Sequence, residues 1–363
     1  MDNQLKDLLD HMHQNDATDL HLTVGASPAF RIQGEISATT LSKITTDRSR
    51  EMAMSLLDAN QRKRFEREKE LDFSFGFYGK FRCRVNLFMQ RGSVAAVFRK
   101  IPEQIVKLEK LGFPSKVTRM VEKPHGLILV TGSTGSGKST TVASFIDHLN
   151  HNRTAHIITI EDPIEYAHHH QKSLVNQREV GSDCFSFATA LRQVLREDPD
   201  IIMVGEMRDA ETAEAALRAA ETGHLVFSTL HTNGAVNSLT RLIQMFPLAS
   251  HDYVRNMLSF TLEGVISQVL LRKSNGRGLM MVYEYLAMTP AVRNLIRENK
   301  LHQIYGNMQM GQDVNGMSTL NQNLFKLATD GTISFNEAWA NSPDPEEFAK
   351  LVAKTKSSRR SAA

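Results

Sequence analysis

The 363-residue chain has very little cysteine, a single tryptophan and no long apolar run. Its two cysteines, Cys83 and Cys184, lie far apart, which excludes a disulfide framework and a zinc site built on paired cysteines. The apolar runs at 126–130 and 225–227 are much shorter than the roughly 18 residues of a membrane-spanning helix. Residues 1–7 contain acids and lead into no apolar segment, so we expect no secretory signal peptide. These absences favour a cytoplasmic protein.

The net charge says little about partners. The formal charge is +3, but four of the positive charges fall within residues 354–363, so the rest of the chain is close to neutral. A near-neutral body whose one tryptophan is Trp339 does not predict a nucleic-acid groove. We expect residues 354–363 to form a disordered basic tail, which either keeps the chain soluble or contacts anionic lipid.

The first part of the chain shows alternating apolar and polar positions, which are typical of half-buried β-strands. The clearest example is a hairpin over 71–87 that turns at 78–80. The polar face of its second strand carries Arg82 and Arg84. Residues 48–70 have the apolar spacing of one amphipathic helix. A small antiparallel α+β domain accounts for these patterns.

From residue 124 onwards, short apolar segments alternate with helical patterns. The apolar segments have the length and composition of strands buried on both faces, and they lie at 127–130, 157–160, 201–204 and 225–228. This alternation predicts an α/β domain with a mainly parallel sheet, followed by helices. The predicted division is an N-terminal domain at 1–100, a linker at 101–111, a core at 112–287, a C-terminal helical region at 288–353 and the tail at 354–363.

Residues 132–139, GSTGSGKS, match the P-loop pattern G-x-x-x-x-G-K-[ST] between a predicted strand and a predicted helix. Glycines let the backbone wrap a triphosphate, and the helix N-terminus attracts its negative charge. We expect Lys138 to reach the β and γ phosphates of ATP and the Ser139 hydroxyl to ligate Mg²⁺. The residues expected to contact the nucleotide are Ser133, Thr134, Gly135, Ser136, Gly137, Lys138, Ser139 and Thr140.

Two further predicted strands lead into acidic segments, at the end where ligands gather in open α/β sheets. ATP hydrolysis needs one carboxylate near the magnesium ion and another that positions the attacking water. We assign Glu206 to the magnesium ion and Glu165 to the water. For Glu161, Asp162 and Asp209, helix capping or ion pairing is an equally good interpretation.

Histidine and arginine side chains add further candidates. His231 ends the fourth predicted strand, near the expected γ-phosphate, and is favoured over His224, which opens that strand. The histidines at 168–170 fit a solvated loop better than a metal site, because they have no cysteine partner. Arg82 and Arg84 are either part of a solvated β surface or guanidinium groups that reach the triphosphate.

Together these motifs resemble the secretion-superfamily ATPases, and in particular the PilT-type retraction motors of type IV pili. The resemblance is carried by a Walker A segment at 130–141, an aspartate box at 159–166, an atypical Walker B segment at 195–209 and a histidine box at 222–232. Residues 291–298, AVRNLIRE, are similar to a C-terminal motif of the retraction motors, and we expect them to transmit motion. Ser133 and Val292 depart mildly from the family pattern and remove no chemical group.

The resemblance implies a RecA-like P-loop core, preceded by a PAS-like α+β domain and followed by C-terminal helices. It supports catalytic roles for Glu165, Glu206, His224 and His231. It also favours a functional role at the nucleotide for Arg82 and Arg84 of the N-terminal domain. It also implies a homohexamer that hydrolyses ATP with Mg²⁺ and drives pilus retraction and twitching motility. Such a motor works at the cytoplasmic face of the inner membrane on a pilus platform protein, peripheral to the bilayer and without specific nucleic acid.

Three alternatives remain open at this point. A motor of the same family that drives pilus assembly or secretion would share the site, although such relatives carry a long extra N-terminal region and usually a four-cysteine zinc site, neither of which is present in this sequence. A nucleotide-gated scaffold without turnover would not need Glu165 and Glu206. A RecA-like nucleic-acid motor would need the basic, aromatic groove that the composition does not predict.

Overall fold

The computed structural model describes residues 1–32, 34–102, 104–311 and 315–361, with side chains described as far as residue 353. The chain divides into two compact units. The first contains Met1–Gln104 with the short segments Asp162–Ala167 and Glu179–Asp183, and the second contains the remainder. Among the described residues, no helix is both long enough and apolar enough to span a membrane.

The first unit is built around a six-stranded antiparallel sheet with strand order β3-β2-β1-β6-β5-β4. The predicted hairpin is confirmed, since β4 pairs with β5 and Phe73 lies opposite Val85. One face of the sheet packs against three helices around Phe77, Phe98 and Leu9. The elements are α1 (Asn3–Gln14), β1 (Asp19–Leu22), β2 (Ala29–Ile32), β3 (Glu35–Ala38), α2 (Thr46–Met54), α3 (Ala59–Glu68), β4 (Glu70–Phe77), β5 (Phe81–Gln90) and β6 (Ser93–Lys100).

The single helix predicted over 48–70 is wrong, because the structure has the two helices α2 and α3 there. The Asp58 side chain accepts hydrogen bonds from the backbone N–H groups of Asn60 and Gln61, and the Gln61 side chain accepts one from the Asp58 N–H. This capping box starts a new helix in the middle of the charged segment. Apolar spacing alone did not reveal the break.

The second unit contains a seven-stranded sheet with strand order β13-β12-β7-β11-β10-β8-β9. The strands β12, β7, β11, β10 and β8 are parallel, whereas β13 is antiparallel to β12, so the predicted mainly parallel sheet is confirmed. The strands are β7 (Gly126–Thr131), β8 (His156–Glu161), β9 (Leu174–Glu179), β10 (Ile201–Val204), β11 (Leu225–Leu230), β12 (Leu262–Arg272) and β13 (Leu279–Ala287).

Helices pack around this sheet and continue after it. The early ones are α4 (Ser115–Val121), α5 (Lys138–Asn152), α6 (Phe187–Val194), α7 (Ala210–Glu221), α8 (Ala235–Gln244) and α9 (His251–Thr261). The helices after β13 are α10 (Pro290–Arg297), α11 (Ile304–Met310), Leu320–Thr329, Phe335–Ala340 and Pro345–Ser361. The last helix extends to residue 361, within the segment predicted as a disordered tail, and that prediction stays untested. The side chains from 354 onwards lie outside the described residues.

The parallel strands give the second sheet two chemically different edges. The register aligns Thr131 with Leu230 at one edge and Gly126 with Leu225 at the other. We call the side of the sheet at which the parallel strands end the carboxyl edge, and the side at which they begin the amino edge. These names refer to the ends of the strands and not to the outermost strands of the sheet. The P-loop follows β7 at the carboxyl edge, as the strand-end argument predicts.

Candidate active site

The P-loop connects β7 to α5 through a tight turn in which Ser136 donates its backbone N–H to Ser133 O at 3.2 Å. Gly132, with φ of 143°, requires glycine for a second reason besides its left-handed backbone. A Cβ atom at this position would lie 2.3 Å from the backbone oxygen of Gln268 on β12. The first glycine of the motif therefore lets β12 approach the loop closely.

Lys138, the first residue of α5, is buried and points back into the loop. Its Nζ donates to Gly132 O and to Ser133 O, each at 2.9 Å. Burial lowers the pKa of this ammonium, and the nearby negative charge of Glu206 opposes that shift. Since an ammonium has three N–H donors, one is left for an anionic ligand.

The N-terminus of α5 has the donors that a polyphosphate needs. Its N-cap, Gly137, has no side chain to satisfy the first N–H groups of the helix. The Ser136 hydroxyl is buried and has no hydrogen-bond partner in the described part of the chain. Ser139 is exposed in the first turn of the helix and Thr140 is half-buried there. This set of donors fits a phosphate group at a helix N-terminus.

A magnesium ion at this site would depend on the nucleotide. Among the described residues, no group of three or more histidine, cysteine, aspartate or glutamate side chains is placed to hold a metal ion. Mg²⁺ in nucleotide sites commonly takes phosphate oxygens, waters and one or two protein oxygens, rather than an all-protein cage. The exposed Ser139 hydroxyl at the start of α5 suits that arrangement.

Glu206 follows β10 at the carboxyl edge and is only 8% exposed. Its Oε2 lies 3.0 Å from His231 Nε2, and its Oε1 forms an ion pair with Arg208. The backbone before it is held to the neighbouring strand, because Gly205 donates its N–H to Ile160 O at 2.8 Å. The carboxylate is therefore buried at the strand end, with a histidine and an arginine beside it.

His231 connects Glu206 to the P-loop. Its side chain is half exposed, and its Nδ1 lies 3.5 Å from Thr134 Oγ1. With Nε2 donating to the carboxylate, Nδ1 becomes the acceptor for the threonine hydroxyl, a tautomer that we assign from the network. The structure thus brings Lys138, Glu206 and His231 to one edge of the sheet. Hydrogen bonds connect Glu206 to His231 and His231 to Thr134 of the P-loop.

The three acids left open by the sequence have different surroundings. Glu161 is 5% exposed and its Oε1 accepts hydrogen bonds from Thr159 Oγ1 at 2.6 Å and Gln177 Nε2 at 3.0 Å. Asp209 caps α7 by accepting from the Thr212 N–H at 2.8 Å. Asp162 is exposed. For Asp209, the capping interpretation describes what the structure shows.

The structure does not bring His224 together with the other candidates. It precedes β11 at the amino edge, where Gly126 donates its N–H to the His224 backbone oxygen. The His224 Nδ1 lies 2.9 Å from Ala219 O and 3.2 Å from Thr222 Oγ1, at the end of α7. The whole length of β11 separates it from His231.

Arg82, Arg84 and Glu165 all belong to the first unit. Arg82 Nη2 donates to Ser74 Oγ at 2.9 Å and lies 4.0 Å from Glu179 Oε2. Arg84 is half-buried and lies opposite Ser74 on β4, whereas Glu165 is exposed. Sequence reasoning did not identify Ser74 or Glu179, although Ser74 lies on the polar face that the strand alternation defines.

The comparisons with known proteins cover nearly the whole chain. Residues 1–340 match the family model described as Type II/IV secretion system protein. The chain is 46% identical to the type IV pilus retraction ATPase PilT of Pseudomonas aeruginosa, over 95% of this chain and 99% of that protein. A crystal structure of the pilus retraction motor PilT with bound ADP superposes with a TM-score of 0.88 at 51% identity, and it covers 95% of this chain and 98% of that one.

A more distant relative shares only part of its length. Type II secretion system protein E of Xanthomonas campestris pv. campestris is 44% identical over 49% of this chain, and the matched region is 31% of that protein. The likeness to the retraction ATPase therefore extends over nearly the full length of both chains. The likeness to the secretion protein is confined to about half of this chain.

Proposed function

The chain belongs to the Type II/IV secretion system protein family, and within it we propose that the carboxyl-edge site hydrolyses ATP to power retraction of a type IV pilus. The chain is an ATPase of the retraction type. One observation carries this conclusion: the likeness to a retraction ATPase extends over 95% of this chain and 99% of that protein. The match to type II secretion system protein E covers only about half of this chain.

The donors around α5 support a role in holding the nucleotide. Lys138 has one N–H left after its two carbonyl contacts, and the first turn of α5 has no side-chain cap. We assign the phosphates of ATP to these donors and to the backbone of Ser133, Thr134, Gly135, Ser136, Gly137, Ser139 and Thr140. Mg²⁺, held by Ser139 and the phosphates with Glu206 nearby, would neutralise negative charge that develops on the phosphate oxygens.

We assign the sensing of phosphate to the path from Thr134 through His231 to Glu206. The Glu206 carboxylate holds the imidazole by its Nε2–H, so that Nδ1 faces the threonine of the P-loop. A phosphate that draws the Thr134 hydroxyl away would release His231 and change the hydrogen bonding of Glu206. This path offers a direct means by which the nucleotide state alters the residues after β11.

The groups of the first unit enter the proposal as chemical roles. Glu165 is assigned to the attacking water, as a carboxylate that accepts its proton. Arg82 and Arg84 are assigned to the charge on the transferred phosphate, where an arginine is worth ~10³ to 10⁵ in rate. Replacement of either arginine by alanine should slow turnover without unfolding the first unit, and unchanged kinetics in both variants would return them to the solvated surface. For His224 we propose a role at the amino edge, in the contact between the end of α7 and the start of β11 rather than in hydrolysis.

The assembly and location of the motor also remain proposals. Membership of the family supports a homohexamer that acts at the cytoplasmic face of the inner membrane on a platform protein of the pilus machinery. The predicted division into 1–100, 101–111, 112–287 and 288–353 stays a prediction about functional domains. A motor needs hydrolysis to change the arrangement of rigid bodies, and the chain contains two compact units.

Phosphate release by the purified full chain, together with pilus retraction in cells, tests this function. In cells that lack the natural protein, the wild-type chain should restore retraction, and Lys138→Ala should restore neither retraction nor hydrolysis. We expect hydrolysis to fall at least ~10²-fold, because the ammonium stabilises phosphate charge. Lys110→Ala removes an exposed lysine of the same unit and should behave as wild type.

The rival functions give different results in the same experiment. A nucleotide-gated scaffold would bind nucleotide without releasing phosphate. An assembly motor would restore the formation of pili in cells that lack them, rather than their retraction. A nucleic-acid motor would release phosphate faster when single-stranded DNA is added.

A further inference from the structure

Gln268 of β12 lies beneath the P-loop and is 1% exposed. Its Nε2 donates to the backbone oxygen of Ser136 at 2.8 Å. It also packs against two glycines of the motif: a Cβ atom added at Gly132 would lie 2.3 Å from the Gln268 backbone oxygen, and one added at Gly137 would lie 3.2 Å from Nε2. One buried glutamine therefore contacts the loop at its first glycine, at its last glycine and at Ser136.

The hydrogen bond to Ser136 fixes the direction of the next amide group. In a planar trans peptide, the C=O and N–H bonds point to opposite sides. Because the Ser136 oxygen points to Gln268, the Gly137 N–H points away from β12. In the described part of the chain this N–H has no acceptor, and it lies next to the uncapped first turn of α5. Gln268 thus aims a donor towards the place assigned to the phosphates.

The other end of the Gln268 amide shows that packing alone does not explain the residue. Its Oε1 is buried and has no hydrogen-bond partner among the described residues. A buried polar atom without a partner destabilises the folded state, so an apolar side chain of similar size would suit a purely structural position better. The donor at Nε2 is the part of this side chain that does something an apolar residue cannot.

From these observations we infer that Gln268 is a positioning residue for the P-loop, which holds the Ser136–Gly137 peptide so that its N–H binds nucleotide phosphate. The inference rests on the proposed nucleotide site. Since the P-loop backbone contacts phosphates of both ADP and ATP, loss of this positioning weakens substrate and transition state alike. It therefore raises KM and leaves kcat almost unchanged.

The test is titration of the purified full chain with fluorescently labelled ADP, alongside steady-state ATP hydrolysis and thermal melting. Gln268→Met keeps the length and volume of the side chain and removes the donor. We expect the Kd for ADP to rise about tenfold, the loss typical of one charge-assisted hydrogen bond. KM for ATP should rise by a similar factor, with kcat within twofold of wild type.

Two controls separate positioning from packing. Val269→Ala shortens the next residue of β12, which packs against the hydrophobic cluster around Leu324 and Phe348 and not against the P-loop. This variant should lower the melting temperature without changing the Kd. Gln268→Asn keeps the amide but is one methylene shorter, so it should lose ADP affinity as the methionine variant does. An unchanged Kd in either folded Gln268 variant would overturn the inference. If Lys138→Ala also kept its affinity, the proposed site itself would be wrong.

Discussion

The two edges of the second sheet both carry buried charge, but they use it differently. At the carboxyl edge, Lys138 keeps a spare donor, and the polar atoms Ser136 Oγ and Gln268 Oε1 have no partner in the described part of the chain. At the amino edge, the buried Glu263 is paired with both Lys123 and Arg293. Unused hydrogen-bonding capacity is what a ligand site requires, whereas a set of satisfied ion pairs holds structural elements together.

An ion pair at the amino edge attaches α10 to Glu263 of β12. The helix α10 contains most of the segment 291–298. Arg293 Nη1 donates to Ser259 O at 2.8 Å and to Phe260 O at 3.1 Å, at the end of α9. Its Nη2 donates to Glu263 Oε1 at 3.0 Å. Arg297 is exposed and contacts α9 through its guanidinium, 5.8 Å from the centre of the Phe260 ring. The two arginines of the motif therefore have different duties.

The largest expected effect is at the carboxyl edge. Glu206→Gln keeps the size of the side chain and removes the charge that accepts the His231 hydrogen bond and that we propose to lie near Mg²⁺. ATP should still bind, and hydrolysis should fall by ~10² to 10⁴. Binding and phosphate release measured on one sample check this result. Glu221→Gln, at an exposed position of α7, serves as the control. Normal turnover would remove Glu206 from the chemistry.

The second effect concerns the ion pairs of Glu263 and should appear as a loss of stability. Glu263→Gln leaves Lys123 and Arg293 without their buried counter-charge. Because Lys123 and Arg293 are partly exposed to water, we expect a cost of about 1 to 2 kcal/mol, or about 2 to 8 °C in melting temperature for a unit of this size. Hydrolysis per folded molecule should stay near wild type. A variant that melts normally but hydrolyses slowly would place chemistry at the amino edge and contradict the division of roles between the two edges.

A smaller effect distinguishes the two histidines at the ends of β11. His231→Ala should lower turnover about tenfold, because it interrupts the path from Thr134 to Glu206. His224→Ala removes a contact with Ala219 O and should cost about 1 kcal/mol of stability, with turnover within about twofold of wild type. Paired melts and rates check both variants. Equal losses of turnover would mean that the sheet edge does not decide a histidine's role.

The sequence predicts the parts of the fold whose patterns are local. The hairpin of the first unit shows strict alternation, and the four central strands of the second sheet are continuous apolar runs, so both can be recognised from residue order alone. Strand-end reasoning also brings Lys138, Glu206 and His231 to one edge. Their chemical roles stay predictions.

The pair β12 and β13 escaped prediction for a physical reason. The sequence of β12 is interrupted by Glu263, Ser267 and Gln268, which resemble exposed polar positions although all three are buried. Their partners are far away in the chain: Gln268 bonds to Ser136, and Glu263 pairs with Lys123. No local pattern contains those partners. A strand that contains buried polar residues with distant partners is therefore difficult to recognise from its own sequence.

The two edges of the second sheet are assigned different roles, hydrolysis at the carboxyl edge and transmission of motion through residues 291–298 at the amino edge. The most direct test of this difference is the ratio of pilus retraction speed to ATP turnover in Arg297→Ala. The residue is exposed and its contact with Phe260 is worth only about 0.5 kcal/mol, so folding and hydrolysis should persist. Arg277→Ala, at an exposed turn between β12 and β13, is the matched control. We predict that the ratio falls at least tenfold in Arg297→Ala and is unchanged in Arg277→Ala. An unchanged ratio in both would contradict the expectation that residues 291–298 transmit motion.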